Sequence, residues 1–131
     1  MNFERLVAHL QAHIPGLLAV YIFGSQVTDH ATAQSDLDMA VLLAGKLDPM
    51  RLWEMSGELA DIAGIPVDLL DMRAASTIMQ YQVITTGLRV WGDDVQVGLF
   101  ECFVLSEKTE LDTARAGLLA DIQKGGSIYG R

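Results

Sequence analysis

Cysteine is almost absent from this chain: Cys102 is the only one in 131 residues. One thiol closes no internal disulfide, and the composition suits a reducing cytoplasm. Cys102 itself reads as a small residue on a helix face, not a nucleophile. Long hydrophobic runs are missing too. The longest span about seven residues, whereas a membrane-crossing helix needs roughly twenty. The start of the chain carries Glu4 inside an amphipathic stripe, unlike a signal peptide. Basic residues are scarce: nine Lys and Arg stand against 17 Asp and Glu, for a net charge of −8, and none falls between Leu6 and Gly45. So acidic a body repels nucleic acid at long range, which argues against a template-reading or RNA-tailing role. It favours a basic protein partner, or a small substrate delivered with its metal.

What is present is a core. Half of the residues are hydrophobic, enough for one folded domain. Phe3, Leu6, Val7, Leu10 and Ile14 form a helical stripe, closed by Pro15-Gly16. His9 and His13 lie four apart on that helix. Leu10 stands where a zinc-protease motif needs Glu, so the pair reads as solvated on the outer face. Leu17–Phe23 and Asp36–Leu43 read as strands. Asp48-Pro49 opens a helix as N-cap and first-turn proline, with Leu52, Met55, Leu59 and Ile62 as its buried stripe and Trp53 packed beside it. Gly64-Ile65-Pro66 stops it. Val67–Leu70 is a short buried strand, 76–86 a helix ended by Gly87, and Leu88–Trp91 a final strand. From residue 96 a long helix of about 25 residues begins. The expected division is a core over 1–95, a helix over 96–124 that completes the core and contacts a partner, and a flexible tail over 125–131.

The chemistry is concentrated where the first two strands meet. Gly24-Ser25 ends one apolar run, and Asp36-Leu37-Asp38 opens the next. Side chains alternate along a strand, so Asp36 and Asp38 face the same way, roughly 7 Å apart. Two carboxylates that close repel unless a cation lies between them. Magnesium suits such a site, because it is a hard ion that keeps waters and takes one or two carboxylates plus substrate phosphates. Two ions can bridge the attacking hydroxyl and the phosphate under attack. Gly24 permits close approach of backbone to phosphate, and amides at a helix start are a ready anion site. Asp, Gly and Ser also cluster in ordinary turns; the placement between two apolar runs is what favours chemistry. Asp68, set between Val67 and Leu69, is the third carboxylate, as metal ligand or as general base toward an acceptor hydroxyl. Asp71 reads as a turn or cap residue.

Gly24, Ser25, Asp36, Asp38 and Asp68 together resemble the signature of the minimal nucleotidyltransferases of the DNA polymerase β superfamily. The likeness extends from the first helix to about Asp93. The resemblance implies an α/β (α+β) fold: a small mixed β-sheet packed by helices, here with a long C-terminal helix. More narrowly, 67–77 and 82–87 resemble the MntA-type antitoxins of HEPN/MNT toxin–antitoxin systems. That likeness implies transfer of AMP from ATP to a tyrosine of a HEPN ribonuclease toxin, with magnesium held by Asp36, Asp38 and Asp68 and the nucleotide held by Gly24 and Ser25. One departure concerns phosphate charge. Family members often carry arginines between Gly-Ser and Asp-x-Asp, whereas residues 26–35 here contain no Arg or Lys. Metal, backbone amides, His30 or a distant basic residue such as Arg73 must then meet that charge.

Two other functions stay open at this level. One is a weakly active or inactive module of the same fold that neutralises a partner by masking it. The other is modification of a small molecule such as an antibiotic, against which stands the expected lack of a second domain to enclose one. The toxin role is excluded on motif grounds: Arg5 precedes His9 with only three residues between, and no other Arg precedes a His within HEPN spacing.

Overall fold

The computed structural model describes residues 3–24, 36–92 and 94–125. Its elements, in chain order, are α1 (Glu4–His13), β1 (Leu17–Phe23), β2 (Leu37–Leu43), α2 (Pro49–Ala63), β3 (Val67–Asp71), a single 3-10 turn (Met72–Ala74), α3 (Thr77–Thr86), β4 (Leu88–Gly92) and α4 (Asp94–Gly125). The strands form one mixed sheet in the order β3-β2-β1-β4. β1 runs antiparallel to β2 and β4, and β2 runs parallel to β3. A parallel pair needs a crossover, and α2 supplies it.

The local signals account for these boundaries. The Asp48 side chain accepts hydrogen bonds from the Met50 and Arg51 amides, Pro49 opens α2, and Gly64 closes it at φ +77°. Ser76 caps α3 by accepting from the Met79 amide. Gly87 follows, and a Cβ there would sit 2.5 Å from the Val83 carbonyl oxygen and 2.8 Å from that of Ile22. The absence of a side chain lets α3 end directly against β1.

Alternation along the central strands divides the core in two. Val20, Ile22, Met39, Val41 and Leu69 face α1 and α2, joined by Leu6, Leu10, Met55 and Leu59. Ala19, Tyr21, Ala40 and Leu42 face α3 and α4, joined by Val83, Val97, Phe100 and Val104. A period of two on the strands and of 3.6 on the helices therefore meets on both faces.

Four expectations are corrected. Trp53 is 74% exposed rather than packed in the core, because it falls off the Met55–Leu59 stripe that α2 buries. His9 is not a solvated residue: its Nε2 lies 2.7 Å from Glu58 Oε1 on α2, and its ring stacks on His13 at 4.1 Å. β3 is an edge strand whose Leu69 and Asp71 are buried, as a core strand requires, but whose Asp68 is exposed. Finally, α4 is 32 residues long and starts at Asp94. Its middle is supported by the pair Lys108–Asp112, 2.7 Å apart at i,i+4, and its second half is rich in Ala and Leu, both good helix formers. No helix among the described residues is long and apolar enough to cross a membrane.

Candidate active site

Asp38 lies near the start of β2. Its neighbour across the antiparallel pair is Phe23, the residue before Gly24, and its neighbour across the parallel pair is Asp68. Directly paired residues show their side chains on one face. Asp38 and Asp68 thus share a face, the one that carries Ala40 and Leu42 further along. Asp36 is exposed two residues earlier. Partial burial pushes the Asp38 carboxyl above the usual aspartate range, and the charges of Asp68 and Asp36 push it the same way. Asp38 thus sits within the field of both other carboxylates.

Gly24 completes the arrangement from the β1 side. Its φ is +77°, in the left-handed region that favours glycine. A Cβ built there would collide with the Asp38 carboxylate. The chain therefore turns out of β1 hard against Asp38, and only a residue without a side chain fits. Sheet order then places Gly24 and Asp68 on opposite flanks of Asp38. Ser25 and His30 lie outside the described residues.

The donor set fits a hard divalent cation: every candidate ligand is a carboxylate oxygen, and mutual repulsion at Asp38 is what a cation would relieve. Among the described residues no three His, Cys, Asp or Glu side chains enclose an ion by themselves. A row of carboxylates left open for incoming phosphates differs from such a cage.

Two residues that the sequence set near this chemistry serve the scaffold. Asp71 is buried, and it accepts from the Leu47 amide at 2.8 Å and the Arg73 amide at 3.1 Å. It is the expected cap, and it also pins the loop between β2 and α2. Arg73 donates through Nε to the Leu43 carbonyl, and its guanidinium stands 5.2 Å from the Phe100 ring centroid. Leu43 is at the far end of β2 from Asp38, roughly 16 Å away at strand rise. Arg73 is thus committed away from the carboxylates and is not the phosphate-neutralising residue. Arg89 is exposed on β4, and its positive charge acts on Tyr21. Sequence reasoning missed two features near these elements. Trp53 is exposed on α2, a position its departure from the apolar stripe already signalled. Tyr21 donates a 2.7 Å hydrogen bond to Glu101 on α4, a partnership across 80 residues that no local pattern marks.

A glycine turn stands against an Asp-x-Asp strand, with a third aspartate on the parallel neighbour, an arrangement suited to metal-assisted phosphoryl chemistry. Residues 4–96 match the family described as Polymerase beta, Nucleotidyltransferase, and the chain belongs to that family. More particularly, it is similar to Protein adenylyltransferase MntA of Shewanella oneidensis, with 34% identity over 93% of this chain and 88% of that one. It also resembles a crystal structure of a toxin-antitoxin with AMP-PNP, with a TM-score of 0.85, 34% identity, and coverage of 94% of this chain and 99% of that chain. A third likeness is to the tri-AMPylated Shewanella oneidensis HEPN toxin in complex with MNT antitoxin, with a TM-score of 0.75, 34% identity, and coverage of 91% and 93%.

Proposed function

We propose that this chain is an antitoxin that transfers AMP from ATP to a tyrosine of a cognate HEPN-domain ribonuclease toxin and so silences it. The observation that carries the reading is the carboxylate row, Asp36 and Asp38 on β2 with Asp68 in register on β3, flanked by Gly24. The likeness to a protein adenylyltransferase over nearly the whole chain supports the choice of reaction.

In this reading Asp36, Asp38 and Asp68 hold two magnesium ions, which, when bound, neutralise phosphate charge and favour the ionised acceptor hydroxyl. Gly24 and Ser25 cradle the outer phosphates through backbone and hydroxyl. Asp68 orients the tyrosine hydroxyl and accepts its proton. The tyrosine oxygen bonds to the α-phosphorus, the bond from that phosphorus to the bridging oxygen breaks, and pyrophosphate leaves with the electron pair. Acceleration comes from positioning and charge complementarity. The core over 1–95 carries the chemistry, and the helix over 96–124 contacts the toxin. Val95, Leu99 and Phe103 form an exposed apolar line along α4 that supports the second role. The pair acts in the cytoplasm, away from membranes, without direct contact between this chain and nucleic acid.

Intact-mass analysis of the toxin after incubation with this protein and Mg-ATP tests the assignment. The expected result is a gain of whole AMP units with the native chain and none with the Asp36→Asn, Asp38→Asn double variant. Transfer by the double variant would sink it. A toxin that co-purifies unmodified would instead indicate neutralisation by masking, the reading that the Arg- and Lys-free interval over 26–35 favours.

A further inference from the structure

The face of α4 that seals the core does not stop where the sheet stops. β4 ends beside Ala19, near the start of β1, so α4 begins at the end of the sheet away from Gly24. From there Glu101 meets Tyr21 on β1, and Lys108 Nζ lies 4.5 Å from the centroid of the Tyr81 ring on α3. α3 itself finishes at Gly87, against Ile22 and Phe23. α4 thus runs toward the end that carries Gly24 and Asp38. Its 32 residues rise roughly 48 Å, against roughly 23 Å for the seven of β1. The remainder stands past the sheet, and residues 112–120 are all exposed.

Val104 is buried on the sheet. Leu111 follows two turns later, then Arg115, then Leu118 and Leu119, all on the side of the helix that Val104 marks. Leu111 is half-buried, and Arg115, Leu118 and Leu119 are exposed. Gly117 falls within this overhang. A helical stretch of that length with a glycine inside it is marginal in water by itself. Its apolar stripe therefore calls for a second element to pack on. Charge says which kind. Lys108 is held by Asp112, whereas no described side chain pairs with Arg115. Arg115 stands in the middle of the stripe with leucines on both sides. A second copy of this chain is a poor occupant. Parallel, in-register stripes would set Arg115 against its own copy. The antiparallel pairing that joins Leu111 to Leu119 is centred on Arg115 and does the same. A different chain that brings a carboxylate to that point fits instead.

We infer that the overhanging stripe of α4 is a docking site for an amphipathic helix of the protein partner. That helix carries a carboxylate among aliphatic side chains: the carboxylate meets Arg115, and the aliphatics pack on Leu111, Leu118 and Leu119. The inference rests on the reading above for the identity of the partner, the HEPN-domain toxin, and not on the chemistry at Asp38. It assigns Arg115 to partner choice. The leucines supply contact area, and the buried ion pair excludes both a second copy and a helix without the acid.

The test measures affinity for the cognate HEPN-domain toxin by calorimetry with the full chain, native and as Arg115→Glu and Arg115→Met. Arg115 is exposed, so both variants fold; circular dichroism and thermal melts check this. Arg115→Glu should bind about tenfold or more weakly. Arg115→Met keeps the apolar area but strands the partner's carboxylate, so it should weaken binding as well. Sedimentation of the native chain alone should show a single copy. Toxin binding by Arg115→Met as tight as native or tighter overturns the inference, because the stripe is then merely apolar. So does native-like binding by Arg115→Glu. A dimer of the native chain that the paired Leu118→Ser and Leu119→Ser changes dissociate overturns it too, by making the stripe a self-interface. If the native chain binds through Arg115 yet adds no AMP to the toxin, the docking site stands and the transfer reading falls. If the native chain does not bind the toxin, both fall together.

Discussion

At Asp38, function and stability pull in opposite directions. Its folded-state pKa is raised by burial first and then by the charges of Asp68 and Asp36. A group raised in this way supports the fold fully below its unfolded pKa, where both states are protonated. That support is lost as pH climbs through the folded value and the native carboxylate ionises at extra cost. The native protein is therefore handicapped at neutral pH, and removing the charge relieves it. Asp38→Asn should melt higher than the native chain at pH 7 in metal-free buffer, with the gap closing toward pH 4, while AMP transfer is abolished. Thermal melts across that range would refute the account if the variant melted lower at pH 7. Gly24 is constrained by space as well as backbone. Gly24→Ala should cost about 1–2 kcal/mol for a left-handed alanine and should reduce transfer further by displacing Asp38. Urea denaturation read beside the transfer rate separates the two effects.

At the scale of elements, the most consequential joint is Asp71. One buried carboxylate closes the end of β3, starts the 3-10 turn and holds the Leu47 amide. Asp71→Ala strands two backbone donors, and the expected destabilisation is about 3 kcal/mol, measured by urea denaturation. Because α2 and β3 both hang on this joint, the variant should also transfer AMP more slowly. α4 divides along its length. Phe100 and Val104 are buried against the sheet, whereas Leu118 and Leu119 are exposed. Phe100→Ala should cost about 3 kcal/mol or more. Paired Leu118→Ser and Leu119→Ser changes should alter stability by under about 1 kcal/mol yet weaken toxin binding. Unchanged affinity of the serine double variant in a pull-down titration would remove the distal half of α4 from the interface.

For the whole molecule, charge sets how partners meet. A net charge of −8 steers a basic protein toward the site and is screened by salt. Association with the toxin should slow by roughly tenfold between low and high ionic strength, with dissociation changing far less. Stopped-flow measurement of both rates over a salt series checks this, and a salt-independent on-rate would show that the long-range field plays no part. Under the proposed function, the same acidity would leave the phosphates of ATP to be met by cations and by backbone amides.

Local chemistry determined much of this protein in the sequence alone. β1, the capped start of α2 and the stop at Gly64 were legible because an N-cap, a proline or a left-handed glycine acts within a few residues. The Gly24…Asp36-Leu37-Asp38 pattern was legible for the same reason. Only the tertiary structure decided what depends on neighbours distant in the chain. Strand order put β3 at the edge, where Leu69 and Asp71 are buried as the apolar run implied but Asp68, in register with Asp38, is exposed. Packing of α1 against α2 turned His9 from a solvated side chain into a partner of Glu58. The register of the 3-10 turn drew Arg73 to the Leu43 carbonyl, away from the carboxylates, and the tilt of the α2 stripe left Trp53 outside the core. In each case the side chain's chemistry was plain in the sequence; which other side chain it met was a matter of topology.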